Sequence, residues 1–324
     1  MKKLFLFLIS LSILSSCQDD NKVDPETPDN SYRLIQAIMK QDNGYEEKYT
    51  YKYQDDKFVE SILSSKANNG WLNVIKYTIT YPANNIAEMV SSGMVDTLQN
   101  QNIDLTRIEY KDNKPIEITI FTTSGKTWTK NSLQEYEYIS ELLGHYTFSF
   151  YNNGDIPSST FKEDYYYKDH IISESRFHSL KEDGTWSYSS SKTYFKSDDK
   201  MIYFFNSINA DTIVQTSSKT INYYTGGKIT RIEHYYLWPD MTDWKLRDEA
   251  DYTYNSEGYL IKGIYKSDSD ADYIIDYKYE KGANNMDWFI SPELYVDGIP
   301  GKKKKTAVLP FFISPFQTII QSTP

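Results

Sequence analysis

From about residue 32 to residue 281 the chain alternates in character from one residue to the next. In Lys48-Tyr49-Thr50-Tyr51-Lys52-Tyr53 the tyrosines fall on every second position, and in Tyr273 to Glu280 the residues Tyr273, Ile275, Tyr277 and Tyr279 interleave with Asp276, Lys278 and Glu280. A period of two predicts β-strands, because successive side chains of a strand point to opposite faces. One face is aromatic and the other charged, the pattern of an antiparallel sheet with one covered side.

The alternating segments repeat. Tyr53, Tyr110, Tyr167 and Tyr224 are each 57 residues from the next, and Tyr279 follows 55 later. A second series, Tyr81, Tyr138, Phe195 and Tyr254, lies between them, so that together they predict one hairpin about every 28 residues, with strands of about 10 residues. Trp71, Trp128, Trp186 and Trp244 carry the same period at spacings of 57, 58 and 58 residues. Ile79, Tyr136, Tyr194 and Tyr252 follow them by eight positions, and an even offset predicts a shared strand face so long as no bulge intervenes. Around Tyr138 the stretch ISELLGHYTF lacks a polar turn cluster and YNNGD at 151–155 reads as the better turn, which predicts a bulge or a shifted hairpin there. Short turns (DDK, DNK, GGK, NSEG) alternate with longer connections (SSKANNG, DTLQNQN, LWPDMTD, SDSDAD), giving one plain end and one elaborated end with the tryptophans on the latter. The fold predicted is all-β, an antiparallel meander of about 16 to 18 strands, closed or curled as a barrel whose interior is rich in tyrosine. A β-propeller with four strands per 57-residue unit fits the same pattern.

The ends of the chain read differently. Lys2 and Lys3 precede an apolar run from Leu4 to Leu14, too short to cross a bilayer as a helix, and Leu14-Ser15-Ser16-Cys17 resembles the lipobox of bacterial lipoproteins. The expectation is a signal peptide over 1–16 and lipidation at Cys17, the sole cysteine, which anchors the protein to a membrane through its N-terminal lipid. Residues 17–31 have the polar, Pro-containing composition of a tether, and Gln18-Asp19-Asp20-Asn21 resembles the acidic tract that sends such lipoproteins to the cell surface. Residues 32–300 form the predicted β-repeat domain, and residues 301–324 a lysine-rich then apolar tail broken by Pro310 and Pro315. The formal charge is −10, or −12 once Lys2 and Lys3 leave, which argues against nucleic acid as a partner.

The hairpins of YxYxxxGK type, the leader, and the ending Tyr279-Glu-Lys-Gly with Ser291-Pro292-Glu293 and Gly298-Ile299-Pro300 resemble a family of uncharacterised gut-bacterial surface lipoproteins of Bacteroidetes type. The resemblance spans residues 32–300 and implies a porin-like fold; it implies no catalytic residue. The hairpins also resemble the YD repeats of RHS proteins.

Candidate chemistry is sparse. G-x-S-x-G, H-E-x-x-H and P-loop motifs are absent, and the four histidines (His145, His170, His178, His234) have no metal-site spacing, so no cofactor or metal is expected. Asp268-x-Asp270-x-Asp272 reads as a solvated acidic loop rather than a calcium loop. Glu46, Glu47, Glu163 and Asp164 are the adjacent carboxylates that a carbohydrate-active hydrolase, the alternative function, would draw on. The preferred reading is a non-enzymatic binding or structural module facing a glycan or an outer-membrane protein. Its candidate ligand contacts are Trp238, in the loop Leu237-Trp238-Pro239-Asp240, and the periodic Trp71, Trp128, Trp186 and Trp244, whose rings suit sugar faces. For the four periodic rings a repeated packing role is the simpler explanation.

Overall fold

The computed structural model describes residues 32–95 and 102–282, apart from residues 113, 125–126, 141, 153, 209–213, 240 and 269–270. Its strands in chain order begin with β1 (Tyr32–Gln41), β2 (Glu46–Gln54), β3 (Lys57–Ala67), β4 (Gly70–Ala83), β5 (Ile86–Gly93) and β6 (Asn102–Lys111). They continue with β7 (Lys114–Ser124), β8 (Thr127–Ile139), β9 (Leu142–Tyr151), β10 (Pro157–Lys168), β11 (Ile171–Leu180) and β12 (Trp186–Lys196). The last are β13 (Lys200–Ile208), β14 (Val214–Thr225), β15 (Lys228–Tyr236), β16 (Lys245–Tyr254), β17 (Leu260–Ser267) and β18 (Tyr273–Lys281). Each strand pairs antiparallel with the next, and β18 pairs with β1 from Tyr32↔Lys281 to Gln41↔Tyr273. The chain is therefore an 18-stranded closed barrel. Closure excludes the propeller, whose blades pair four strands among themselves and leave edges between blades.

At one end of the barrel, the turn end, six of the eight connections have two residues. Asp55 and Asp56, Asp169 and His170, and Gly226 and Gly227 all take positive φ, between 48° and 76°. Two successive residues of that kind make the turn that matches the right-handed twist of a hairpin, which is why Asp, Asn and Gly cluster there. The opposite loop end carries connections of two to eight residues. Trp71 and Trp128 follow two-residue connections, and SSKANNG, read as one of the longer connections, is largely strand, its first four residues ending β3 and its glycine opening β4.

Two rings of bulges run around the barrel. Near the turn end the extra residues are Ile35, Val59, Ile116, Gly144, Ser173, Thr230 and Ile261, on odd-numbered strands, and the pairing of β4 with β5 is irregular between Thr80 and Ala83. Near the loop end they are Val74, Ile103, Asn131, Ser158, Ser189, Ser217 and Arg247, one on every even-numbered strand from β4 to β16. A bulge adds local twist and bend, and repeating it on alternate strands at each end coils the sheet toward closure. The hairpin near Tyr138 is not shifted: the chain turns directly after Ile139, with Ser140 at φ 58°, and its bulge is the one its neighbours share. YNNGD belongs to the loop end.

The inner wall is tiered. Near the turn end it is aromatic and aliphatic, with Tyr51, Phe58, Ile108, Tyr110, Tyr136, Leu143, Tyr165, Ile172, Tyr194 and Met201 buried in one cluster that reaches from β1 round to β18. Toward the loop end it turns polar, with Ser61, Ser91, Asp104, Gln134, Glu163, Ser175, Ser190 and Thr220 buried. The periodic tyrosines have a shared task at the turn end. The hydroxyls of Tyr53, Tyr81, Tyr138, Tyr167 and Tyr254 donate to the backbone oxygens of Leu34, Phe58, Pro115, Leu143 and Ile229, each near the start of the preceding strand, at 2.7–3.0 Å. Arg33, Lys57, Lys114 and Lys228 lie 4.9–5.3 Å over the rings of Tyr53, Tyr81, Tyr138 and Tyr254. Phe195, in the same periodic series, departs: the β12–β13 hairpin has no bulge, so Phe195 points outward and is 56% exposed while Tyr194 takes the inner place.

Candidate functional site

The loop end gathers the aromatic candidates, and register decides where each points. In all four tryptophan-bearing copies the loop-end bulge falls three residues after the tryptophan, at Val74, Asn131, Ser189 and Arg247. The extra residue reverses the alternation, so Ile79, Tyr136, Tyr194 and Tyr252 face the interior while Trp71, Trp128, Trp186 and Trp244 face outward. The expected common face is thus overturned in every copy. Cross-strand partners agree, since Trp71 stands opposite Lys66, Trp128 opposite Thr123 and Trp186 opposite Leu180.

Three of these rings are capped by lysines one or two strands back. Lys48 and Lys66 lie 4.6 and 5.0 Å from the Trp71 centroid, Lys162 5.4 Å from Trp186, and Lys219 5.1 Å from Trp244 and 4.2 Å from Tyr235. On β8 the cation is Lys130, 4.9 Å over Tyr151. A ring attracts a cation through its quadrupole. Trp71 and Trp244 are half-buried in these contacts and Trp186 is 40% exposed. Trp238 differs: it sits in the loop after β15, packs edge-on against Tyr236 at 5.8 Å, and is 59% exposed.

The carboxylate pairs of the hydrolase reading do not assemble. Being adjacent on a strand, Glu163 and Asp164 take opposite faces, as do Glu46 and Glu47. Glu163 is buried inside, accepting from the Ser175 hydroxyl at 2.6 Å and the Tyr165 hydroxyl at 3.1 Å, with Lys192 Nζ at 3.7 Å. Asp104, also inside, is held above the ordinary carboxylate range by burial, with Ser91 working the other way. His234 is held below the usual imidazole range by burial, its Nδ1 2.9 Å from the Thr220 hydroxyl. On the outside His178 lies 3.3 Å from Asp164 and His145 3.4 Å from Glu137. Among the described residues no group of three His, Cys, Asp or Glu is placed to hold a metal ion. Cys17 and the tail 301–324 lie outside the described residues, as do residues 269–270 of the acidic loop.

The outer wall between the two bulge rings carries ladders of ion pairs. Lys52 and Lys76 meet Glu60 at 2.5 and 2.8 Å, Lys162 meets Asp164 at 3.0 Å, and Arg107 lies between Glu88 and Glu109 at 3.7 and 3.5 Å. On β15 to β17 Arg231 joins Glu233, Glu249 and Asp251, with Lys266 on Glu249. The lysines of the tryptophan caps were the missed signal: each is legible only once the register brings it against its ring from a neighbouring strand or the one beyond.

The fold defines the class as a closed up-and-down β-barrel. Among solved structures the chain is similar to a porin-like protein from Bacteroides uniformis ATCC 8492, at 11% identity and a TM-score of 0.39, over 76% of this chain and 96% of that one. It is also similar to a protein of unknown function from Bacteroides fragilis NCTC 9343, at 10% identity and a TM-score of 0.26, over 47% of this chain and 94% of that one. No protein-family model and no curated protein matches the sequence.

Proposed function

We propose that this chain is a lipid-anchored outer-membrane lipoprotein whose barrel stands in water and recognises a glycan at its loop end, without catalysis. The observation that carries the reading is the placement of Trp238. It is the most exposed tryptophan of the described residues, on an eight-residue connection at the pole opposite Tyr32, where the tether from Cys17 enters. An anchor at the turn end leaves the long connections facing away from the membrane. The water-facing wall is supported by its ion-pair ladders, since each Arg or Lys at the midplane of a lipid-facing barrel wall costs about 2–4 kcal/mol.

The test is polysaccharide pull-down by the full chain beside Trp238→Ala. Loss of a stacking ring weakens binding at least about tenfold if the site is the one proposed. A folded wild type that retains no glycan sinks the recognition role, and undiminished binding by the variant moves the site away from Trp238.

A further inference from the structure

We infer that the outer wall at the loop end is a set of anionic-glycan subsites, each built from a lysine seated on an aromatic ring, and that the ligand is an acidic polysaccharide. The inference rests on the glycan reading above and names the class of glycan.

Two populations of lysine share this wall. Midway down it, Lys52, Lys76 and Lys266 are neutralised by carboxylates at 2.5–2.8 Å, and Lys162, although it caps Trp186, joins them through Asp164 at 3.0 Å. Around the loop end, Lys48, Lys66, Lys130 and Lys219 sit on aromatic rings at 4.2–5.1 Å, with no carboxylate of the described residues within ion-pair distance. On a chain of net charge −10 these are uncompensated cations gathered at one level. Their ring contacts also hold each ammonium in place, which lowers the entropy lost when an anion binds.

The arrangement discriminates among polyanions. The subsites lie on β2–β4, β8–β9 and β14–β16, about six strands apart around the ring, which at a strand spacing of about 4.8 Å separates neighbours by roughly 25–35 Å along the wall. A flexible polysaccharide can follow that curve and engage several subsites at once, gaining avidity with length. A flat bilayer meets a belt around a barrel on one side only. Nucleic acid, with a phosphate every few ångströms, is served by a continuous basic strip, which subsites separated by ion-pair ladders do not supply. A neutral sugar has to compete with the lysine for the face of Trp71 or Trp244, whereas an acidic sugar takes the ammonium and stacks beside it.

The experiment measures binding of the full chain to polygalacturonate, hyaluronan and heparin, with dextran, single-stranded DNA and phosphatidylglycerol vesicles as comparators, across a salt series. Expected are binding to at least one acidic polysaccharide, weakening with salt, and loss on shortening that polymer to disaccharides. The double variant Lys48→Gln/Lys219→Gln is expected to lose at least about tenfold and to lower the salt slope by about two, one per lysine removed. Lys168→Gln at the turn end is expected to change neither. Circular dichroism confirms that each variant folds. Binding to no acidic polysaccharide overturns the inference, as does preference for DNA or vesicles, or an equal loss in Lys168→Gln. Dextran binding that is independent of salt and lost in Trp238→Ala overturns it while leaving the recognition role standing; no binding to any polymer overturns both.

Discussion

A single tyrosine hydroxyl explains why the sequence period is so regular. Tyr81, Tyr138 and Tyr254 each reach back to the second residue of the preceding strand, and phenylalanine in that place leaves the carbonyl of Phe58, Pro115 or Ile229 without the bond. Tyr138→Phe is therefore expected to cost about 1 kcal/mol, read as a lower midpoint in urea without a change of slope. The lysine of the GK-type turn was legible as part of the motif, but its seat on the tyrosine of the following strand was not. The same rings set the response to base. Burial raises the hydroxyls of Tyr77, Tyr167, Tyr224 and Tyr254 to about 12, and that of Tyr51 well above the ordinary value. An unfolded tyrosine ionises near 10, so the stability these groups contribute is whole below pH 10 and is lost as pH rises from 10 toward 12 and beyond. Each adds up to about 1.4 kcal/mol per pH unit in that window. Ionisation followed in the ultraviolet is expected to come in one cooperative step that coincides with loss of β-sheet ellipticity; smooth independent titration on a folded barrel refutes this. His234 works in the opposite sense: burial lowers it, so its contribution is present above about pH 6.5 and is lost as the pH falls through the lowered value.

At the level of strands and hairpins the period-two pattern placed the elements well, because alternation and Asp/Asn/Gly turns are written in residue types. The bulges are not. Val74, Asn131, Ser189 and Arg247 occupy equivalent places and share neither size, charge nor propensity, since what fixes them is the curvature of the sheet rather than a side chain. The facing of the tryptophans was therefore hidden, although their positions were plain. Deleting Ser189 removes the extra residue and forces Trp186 to the inner face or the strand out of register. The expected result is a loss of about 2 kcal/mol or more together with reduced quenching of tryptophan emission by iodide. A deletion tolerated with unchanged quenching shows that the bulge does not set the facing. Phe195 is the natural counterpart: where the turn-end bulge is missing, the periodic aromatic has turned to solvent.

For the whole molecule, the choice between barrel, open sheet and propeller lay beyond the sequence, because it turns on one pairing between residues some 250 positions apart, Tyr32↔Lys281. Every other strand pairing joins neighbours in the chain, and the ladder around the ring is otherwise continuous. Joining two distant ends costs loop-closure entropy that local hairpins do not, so formation of β1–β18 is expected to limit the rate of folding. A disulfide engineered between these two strands accelerates refolding if that is so, whereas one between β9 and β10 leaves it unchanged. Because the first and last strands lie side by side, the barrel has no intrinsic beginning: joined by a short linker there and reopened at the turn between Gly226 and Gly227, the same necklace of hairpins closes on itself from a different clasp. A lipid attached at the new opening then hangs the barrel from another point on the same rim, and the loop end still faces outward.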